Sequence, residues 1–144
     1  MQRNGISHSV AFCVLDNMNG VFMEWTIEYI AEQQLIYIKT KGILTNENAN
    51  LMIKDVVQEM AKHECLKQIV DHRETIFELS VREYYERPDI NKEIGISYSW
   101  KIAMVFKELS ENTRFMETVF RNRGYNFHQF DDIDKAMEWL LSDS

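Results

Sequence analysis

The sequence predicts a single α/β domain: a mixed, mostly parallel five-stranded sheet with an N-terminal antiparallel hairpin and helices packed on its faces. Two alternating apolar segments are joined by the short connection 31–34, which only an antiparallel hairpin permits. Apolar segments then alternate with amphipathic helical segments, an order typical of parallel strands joined by right-handed crossovers. The 144 residues, 45% of them hydrophobic, suffice for one domain with its own core.

The predicted hairpin rests on a period of two. In residues 24–32, Trp25, Ile27 and Tyr29 fall on one face and polar residues on the other, as in a half-buried strand. Residues 35–41 are rich in β-forming residues and make the second strand. We expect this strand to end at Gly42.

A helix and a central strand follow. Thr45 or Asn46 is the expected N-cap. Apolar residues then recur at helical spacing and predict one buried face: Ala49, Ile53, Val56, Val57 and Met60. The segment 66–70 predicts a short third strand with little polar character, as expected of a strand covered on both faces.

The second helix is predicted from its cap. Ser80 with Glu83 three residues later is the capping-box pattern. Pro88 is expected to end the helix at about Arg87, because the residue before a proline avoids the helical region. Residues 88–98 show no clear pattern.

The last third of the chain repeats the strand–helix unit twice. Residues 100–107 are apolar on both faces and predict a buried strand, and Ser110 is the expected cap of the next helix. Residues 125–130 predict the fifth strand, and Asp131 or Asp132 the cap of the last helix.

Residues 1–22 precede this pattern and are assigned as an N-terminal extension of the domain 23–144. The apolar run 9–15 ends in a loop signal at 16–20. Two interpretations stay open: a loosely attached arm, or an extra edge strand, which a partner chain could receive.

Composition and charge exclude several classes. A net charge of −7 disfavours nucleic acid and anionic lipid as partners. No segment reaches the roughly 20 apolar residues of a membrane span, so no membrane insertion is expected. The run 9–15 lacks a signal-peptide cleavage pattern. Cys13 and Cys65 have no paired spacing and are expected to be reduced. We therefore expect a cytoplasmic protein.

The sequence carries no recognisable motif for a cofactor, a metal or catalysis. The four histidines, His8, His63, His72 and His128, show no metal-ligand spacing. There is no dinucleotide fingerprint, phosphate-binding loop or nucleophile elbow. The sequence thus predicts no metal, no cofactor and no catalytic residue.

Several segments, in this order, resemble the SpoIIAA-like superfamily, the fold of the STAS domains of anti-sigma-factor antagonists, and within it the small stand-alone bacterial proteins of unknown function. The resemblance covers about residues 23–142. The segments that carry it are 37–42 (YIKTKG), 69–73 (IVDHR), 100–105 (WKIAMV), 115–124 (FMETVFRNRG) and 130–140 (FDDIDKAMEWL).

This resemblance implies a non-enzymatic regulatory module that acts through protein–protein contacts. In the antagonists, a kinase-like partner phosphorylates a serine or threonine at the start of the helix that follows the third strand, and Ser80 falls at about that position. The antagonists carry Asp-Ser-Ser/Thr-Gly there, whereas this chain reads Leu79-Ser80-Val81-Arg82. Ser80 is either a switch or a helix cap alone.

Asp71, His72 and Arg73 are expected at or just beyond the end of the third strand, where open α/β sheets place their ligands. They form either an anion or ligand contact, or an Asp–Arg structural pair with His72 at the surface. Together with Ser80 they define the candidate switch or partner surface of a protein that is expected to form a homodimer.

The alternative function is binding of a small apolar or amphipathic ligand. A closed pocket of several hundred cubic ångströms would favour it, and a shallow exposed apolar patch over a filled core would favour the interaction module. The candidate pocket residues are Phe77, Tyr84, Tyr85, Ile96, Tyr98 and Trp100.

Overall fold

The computed structural model describes residues 7–16 and 21–142, with side chains from Phe22 to Ser142. In this part of the chain, six strands form one sheet: β1 (Ser7–Asp16), β2 (Val21–Ile30), β3 (Leu35–Leu44), β4 (Lys67–Phe77), β5 (Lys101–Val105) and β6 (Asn126–Phe130). The helices of the same residues are α1 (Asn46–Lys62), α2 (Val81–Ile94), α3 (Glu111–Asn122) and α4 (Ile133–Leu140).

The sheet follows the order of the chain, β1-β2-β3-β4-β5-β6. β1, β2 and β3 pair antiparallel, and β3, β4, β5 and β6 pair parallel. This confirms the predicted mixed α/β sheet with its hairpin, whose five strands are β2 to β6. β1 lies outside them on the edge of β2, in a register from Ser7 opposite Ile30 to Asp16 opposite Val21. The division of the chain at residue 22 stays a prediction.

Helices cover the two faces of the sheet unequally. α1, α2 and α3 pack on one face, over a core that includes Trp25, Ile38, Val70 and Phe127 of the strands. α4 packs on the other, over a smaller cluster around Ile69. The central strands are therefore covered on both sides, as their continuous apolar sequence requires.

β4 is longer than predicted. The sequence suggested 66–70, whereas the strand runs from Lys67 to Phe77. Its first five residues pair with β5, and the part from Glu74 onward pairs with β3 alone. Between Asp71 and Glu74 the register against β3 shifts, which marks a β-bulge. The polar residues that looked like the end of the strand continue it, and an ion pair of 3.2 Å between Lys39 and Glu74 spans β3 and β4.

The predicted end of α2 was wrong. The helix continues through Pro88 to Ile94 and stops at Gly95, whose φ of 133° favours glycine. Contacts from distant parts of the chain hold the second half in place. The Tyr125 hydroxyl donates to the Pro88 carbonyl at 2.8 Å, and the buried Arg87 guanidinium bonds to α1. These contacts offset the hydrogen bond that a proline removes.

The predicted helix caps are correct. Thr45, Ser80 and Ser110 each form a capping box with the residue three positions later, and Asp132 caps α4. Each cap satisfies backbone N–H groups of the first turn.

Candidate functional site

An open groove of about 460 Å³ lies where β4 runs past the end of β5. We call it the β4 groove. Open α/β sheets bind their ligands at this place, outside the carboxyl ends of the strands. It is lined by His72, Arg73, Glu74, Thr75, Ile76 and Phe77 of β4, by Tyr84 of α2, by Phe106, Lys107, Glu108 and Ser110 of the β5–α3 connection, and by Asn112 and Thr113 of α3.

Asp71 lies beside the groove, on the sheet face that α4 covers in part. Its buried carboxylate accepts hydrogen bonds from Arg73 Nε at 2.9 Å, from Arg73 Nη2 at 2.8 Å and from the Tyr37 hydroxyl at 2.8 Å. Burial alone would raise the pKa of Asp71, but the bonds from Arg73 and Tyr37 outweigh it and lower the pKa to about 2. Asp71 is thus ionised and bound to Arg73 and Tyr37.

His72 is buried, with 1% of its surface exposed, and not at the surface as one interpretation expected. Its side chain lies on the face of β4 that α1, α2 and α3 cover. The centroid of its ring is 4.8 Å from that of Phe77 and 5.7 Å from that of Phe106. This burial lowers the pKa of His72 to about 3, so the imidazole is neutral at pH 7.

A chain of short hydrogen bonds joins two residues of the groove lining, His72 and Thr75, through Thr40. Thr75 Oγ1 lies 2.6 Å from Thr40 Oγ1, which lies 2.6 Å from His72 Nδ1. Thr75 lines the groove, whereas Thr40 is buried. The other ring nitrogen, Nε2, has no hydrogen-bond partner among the residues that the structure describes.

A hydroxyl beside an imidazole is the arrangement of an activated nucleophile. Here the hydroxyl in contact with His72 belongs to Thr40, which is 1% exposed, so a substrate in the groove does not reach it. Within the described residues, no group of three His, Cys, Asp or Glu side chains is placed to hold a metal ion.

Arg87 is a residue that the sequence analysis missed. It is 4% exposed, and its guanidinium donates to the amide oxygens of Asn46, Asn50 and Asn91. None of the ion pairs found in the described part of the chain involves it. Burial lowers its pKa to about 10. In sequence, the arginine next to a proline in a segment without a clear pattern gave no sign of these contacts, since Asn50 and Asn46 lie 37 and 41 positions away and Asn91 lies beyond the proline.

Arg87 also borders a small interior cavity of about 30 Å³ between the sheet and the helices. Most of its lining is apolar, and His72 and Asn91 border it as well. A space of this size holds a water molecule but no larger ligand, so the core is nearly filled.

The six candidate pocket residues do not share one cavity. Phe77 and Tyr84 stack with centroids 6.4 Å apart and line the β4 groove. The other four line neither the groove nor the interior cavity: Tyr85 is exposed beside the Arg123 guanidinium, Ile96 and Trp100 are buried, and Tyr98 packs on Tyr125.

The candidate switch residue, Ser80, is exposed at the N-terminus of α2. Its hydroxyl accepts from Glu83 N at 3.1 Å, and its own N–H donates to Glu83 Oε1 at 2.9 Å. His72 and Arg73 line the groove, whereas Asp71 and Ser80 are not part of the lining.

Apolar side chains are exposed at the groove and at the start of α2. Ile76 at the groove is 66% exposed, and Val81 and Tyr85 in the first turns of α2 are 67% and 56% exposed.

The chain is similar over nearly its whole length to a solved structure. That structure is of an uncharacterised protein of the DUF3478 family with a SpoIIAA-like fold from Shewanella loihica PV-4, with a TM-score of 0.50 and 16% sequence identity over 97% of this chain and 99% of that one. This likeness confirms the SpoIIAA-like fold. No family model matches the chain, and no curated protein matches its sequence. In the described residues, no helix has the length and apolar character to cross a membrane.

Proposed function

We propose that this domain of SpoIIAA-like fold is a non-enzymatic regulatory module that binds a protein partner. The contact surface is the β4 groove together with the first turns of α2. One observation carries the proposal: an open groove lined by the exposed Ile76, next to an α2 whose first turns expose Val81 and Tyr85, accompanies a nearly filled core. We expect the module to act in the cytoplasm and as a homodimer, which analytical ultracentrifugation of the full chain would test.

Ser80 is the residue through which such contacts would be switched. A phosphate on its hydroxyl would lie at the N-terminus of α2, where free N–H groups and the helix dipole favour negative charge. It would also displace Glu83, whose carboxylate is bonded to Ser80 N at 2.9 Å. Phosphorylation would therefore change the charge and the shape of the surface beside Val81.

Photo-cross-linking in the host cell tests the contact surface. Benzoylphenylalanine replaces Ile76, which is 66% exposed, and in a control it replaces Leu66, which is 60% exposed just before the other end of β4. We expect a discrete cross-linked product of higher mass from the Ile76 position alone. Equal products from both positions, or none from Ile76, would refute the proposal.

A second candidate function is binding of a small amphipathic anion under α2. It is favoured by Arg87, a buried cation with amide oxygens as partners, next to a cavity lined by Met52, Met104 and Met116. The flexible side chains of methionines would let the 30 Å³ space expand around a ligand.

The test is a titration of the full chain with octanoate and with octanol, followed by the methyl resonances of these methionines. Binding at this site predicts larger shifts with octanoate than with octanol, because Arg87 distinguishes the two head groups. The Arg87→Gln variant should remove the difference. Equal shifts, or no shift with either compound, would exclude this function.

A further inference from the structure

The outer half of β4 has a free edge beside the groove. β5 pairs with β4 from Lys67 to Asp71 and ends at Val105, while β4 continues to Phe77. Along Glu74–Phe77 the only strand paired with β4, in the described part of the chain, is β3. The groove occupies the position that an extension of β5 would fill.

The bulge decides which backbone groups face this opening. Glu78 N–H donates to Leu44 O at 2.8 Å, which directs the backbone of residues 76 and 78 toward β3. Successive residues of a strand direct their backbone groups to opposite sides. The N–H and C=O groups of Thr75 and Phe77 therefore point away from β3 and into the groove.

Before the bulge, odd- and even-numbered residues of β4 direct their backbone groups the other way. Lys101 N–H donates to Leu66 O at 2.8 Å, so the even-numbered residues of β4 up to His72 face β5. The extra residue between Asp71 and Glu74 reverses this, so that the odd-numbered residues face outward from Thr75 on. The bulge thus aligns a new set of backbone donors and acceptors with the groove.

We propose that the β4 groove binds an extended, neutral or basic peptide segment of the partner, which adds as a short strand to Thr75 and Phe77. This rests on the proposed function and specifies its binding mode. A free strand edge is a ready template for such pairing. The volume of about 460 Å³ falls within the range of peptide and small-molecule sites.

Charge supports this class of partner. Arg73 is paired with Asp71, and Glu74 with Lys39, so these two charges at the groove are already neutralised by the protein. Lys107 and Glu108 contribute one charge of each sign. The groove therefore has no excess of cations for a phosphorylated or acidic segment, and the net charge of −7 favours the approach of a neutral or basic one.

Amide hydrogen exchange on the full ¹⁵N-labelled chain tests the free edge. The amides of Thr75 and Phe77 should exchange roughly tenfold or more faster than those of Ile76 and Glu78, which face β3. A degenerate library of N-acetylated, C-amidated hexapeptides should then shift the Thr75 and Phe77 resonances and slow their exchange. The same library with N-methylated backbones, which lacks the hydrogen-bond donors, should have no such effect.

Two variants test whether the peptide library binds in the β4 groove. Asn112→Trp places a large side chain at the groove without changing the core, and should abolish the response to the library. Thr118→Trp, exposed further along α3, should preserve it. Slow exchange of Thr75 and Phe77 in the free chain, no response to the library, or an equal response to the N-methylated library would overturn the inference.

This outcome is separable from that of the proposed function. A cross-link from Ile76 without any change at the Thr75 and Phe77 amides would retain the partner surface and reject strand pairing. Pairing of the library without a cross-link in the cell would retain a peptide groove and reject the regulatory partner.

Discussion

The two halves of β4 belong to one strand and have different surroundings. Residues 68–71 pair with a strand on each side and are covered on both faces, with Ile69 and Val70 in the two cores. The second half, from His72 to Phe77, has one paired neighbour from Glu74 onward and borders the groove. The first half therefore holds the sheet together, and the second presents the candidate site.

The bulge separates these two roles. It lets one strand satisfy the packing of the core up to Asp71 and then direct other groups outward from Thr75. Bulges are frequent next to functional sites because they re-aim side chains and interrupt pairing. A site built this way is held in the sheet by β3 and borders the groove on its other side.

The largest expected difference between the halves is one of packing. Ile69→Ala removes a side chain with 0% exposure and should lower the free energy of unfolding by about 2–5 kcal/mol. Ile76→Ala changes a side chain that is 66% exposed and should stay within about 0.5 kcal/mol. Urea denaturation measures both. Similar losses would show that the second half is as tightly packed as the first.

The next effect concerns the charge at the end of the paired half. The pKa of Asp71 is lowered from 3.8 to about 2 in the folded protein, so the unfolded state binds the proton more readily. Stability from this group is present above pH 4 and lost as the pH falls from about 4 to 2, to a total of about 2 kcal/mol. Asp71→Asn should cost about this much at pH 7 and remove that part of the acid dependence.

The control for this prediction is Glu74→Gln, which breaks the exposed pair with Lys39 across the same two strands. Exposed ion pairs contribute little, so its loss should stay below about 1 kcal/mol. If the two variants lose equal stability, the distinction between the buried and the exposed carboxylate is wrong.

His72 gives an effect of similar size in a different pH range. Its folded pKa of about 3 lies below the ordinary 6.5, so the unfolded state takes up a proton first as the pH falls. Stability should decrease below about pH 6.5, by about 2 kcal/mol between pH 7 and pH 5. His72→Asn, which does not titrate, should lose this dependence in urea denaturation at both pH values.

His128→Asn is the matched control, because His128 is only partly buried on β6. Burial lowers its pKa, as does Arg121, while Glu117 opposes the shift. Its removal should change the pH dependence less than the removal of His72. The opposite order would show that His72 is not the buried neutral group of the second half.

The same division explains what the sequence could predict. Ile69 and Val70 are apolar neighbours, and such runs predict a central strand without further information. The continuation through His72, Arg73 and Glu74 has the polar sequence of a loop. It is a strand because one neighbouring strand and the Lys39–Glu74 pair hold it. Long-range contacts of this kind leave no periodicity in the local sequence.

The sequence thus indicated where the candidate site residues lie along the chain, but not how they are arranged. A groove lies at the carboxyl end of the third predicted strand, and Ser80 caps α2 as its pattern indicated. The burial of His72 depends on Phe106, which is 34 positions away in the sequence, and the course of α2 past Pro88 depends on Tyr125. Rules that use neighbouring residues alone cannot supply these partners.

The smallest expected effect concerns Ser80, which follows the second half of β4, and distinguishes a helix cap from a switch. Ser80 and Ser110 form the same capping box, at α2 and at α3, and both are exposed. Replacing either serine by alanine should cost about 1 kcal/mol in urea denaturation, since each removes one cap. If Ser80 is also the switch, Ser80→Ala alone changes the yield of the cross-link from Ile76. Because Ser110→Ala carries the same loss of stability, an equal change in both variants would assign the effect to stability and leave Ser80 as a cap.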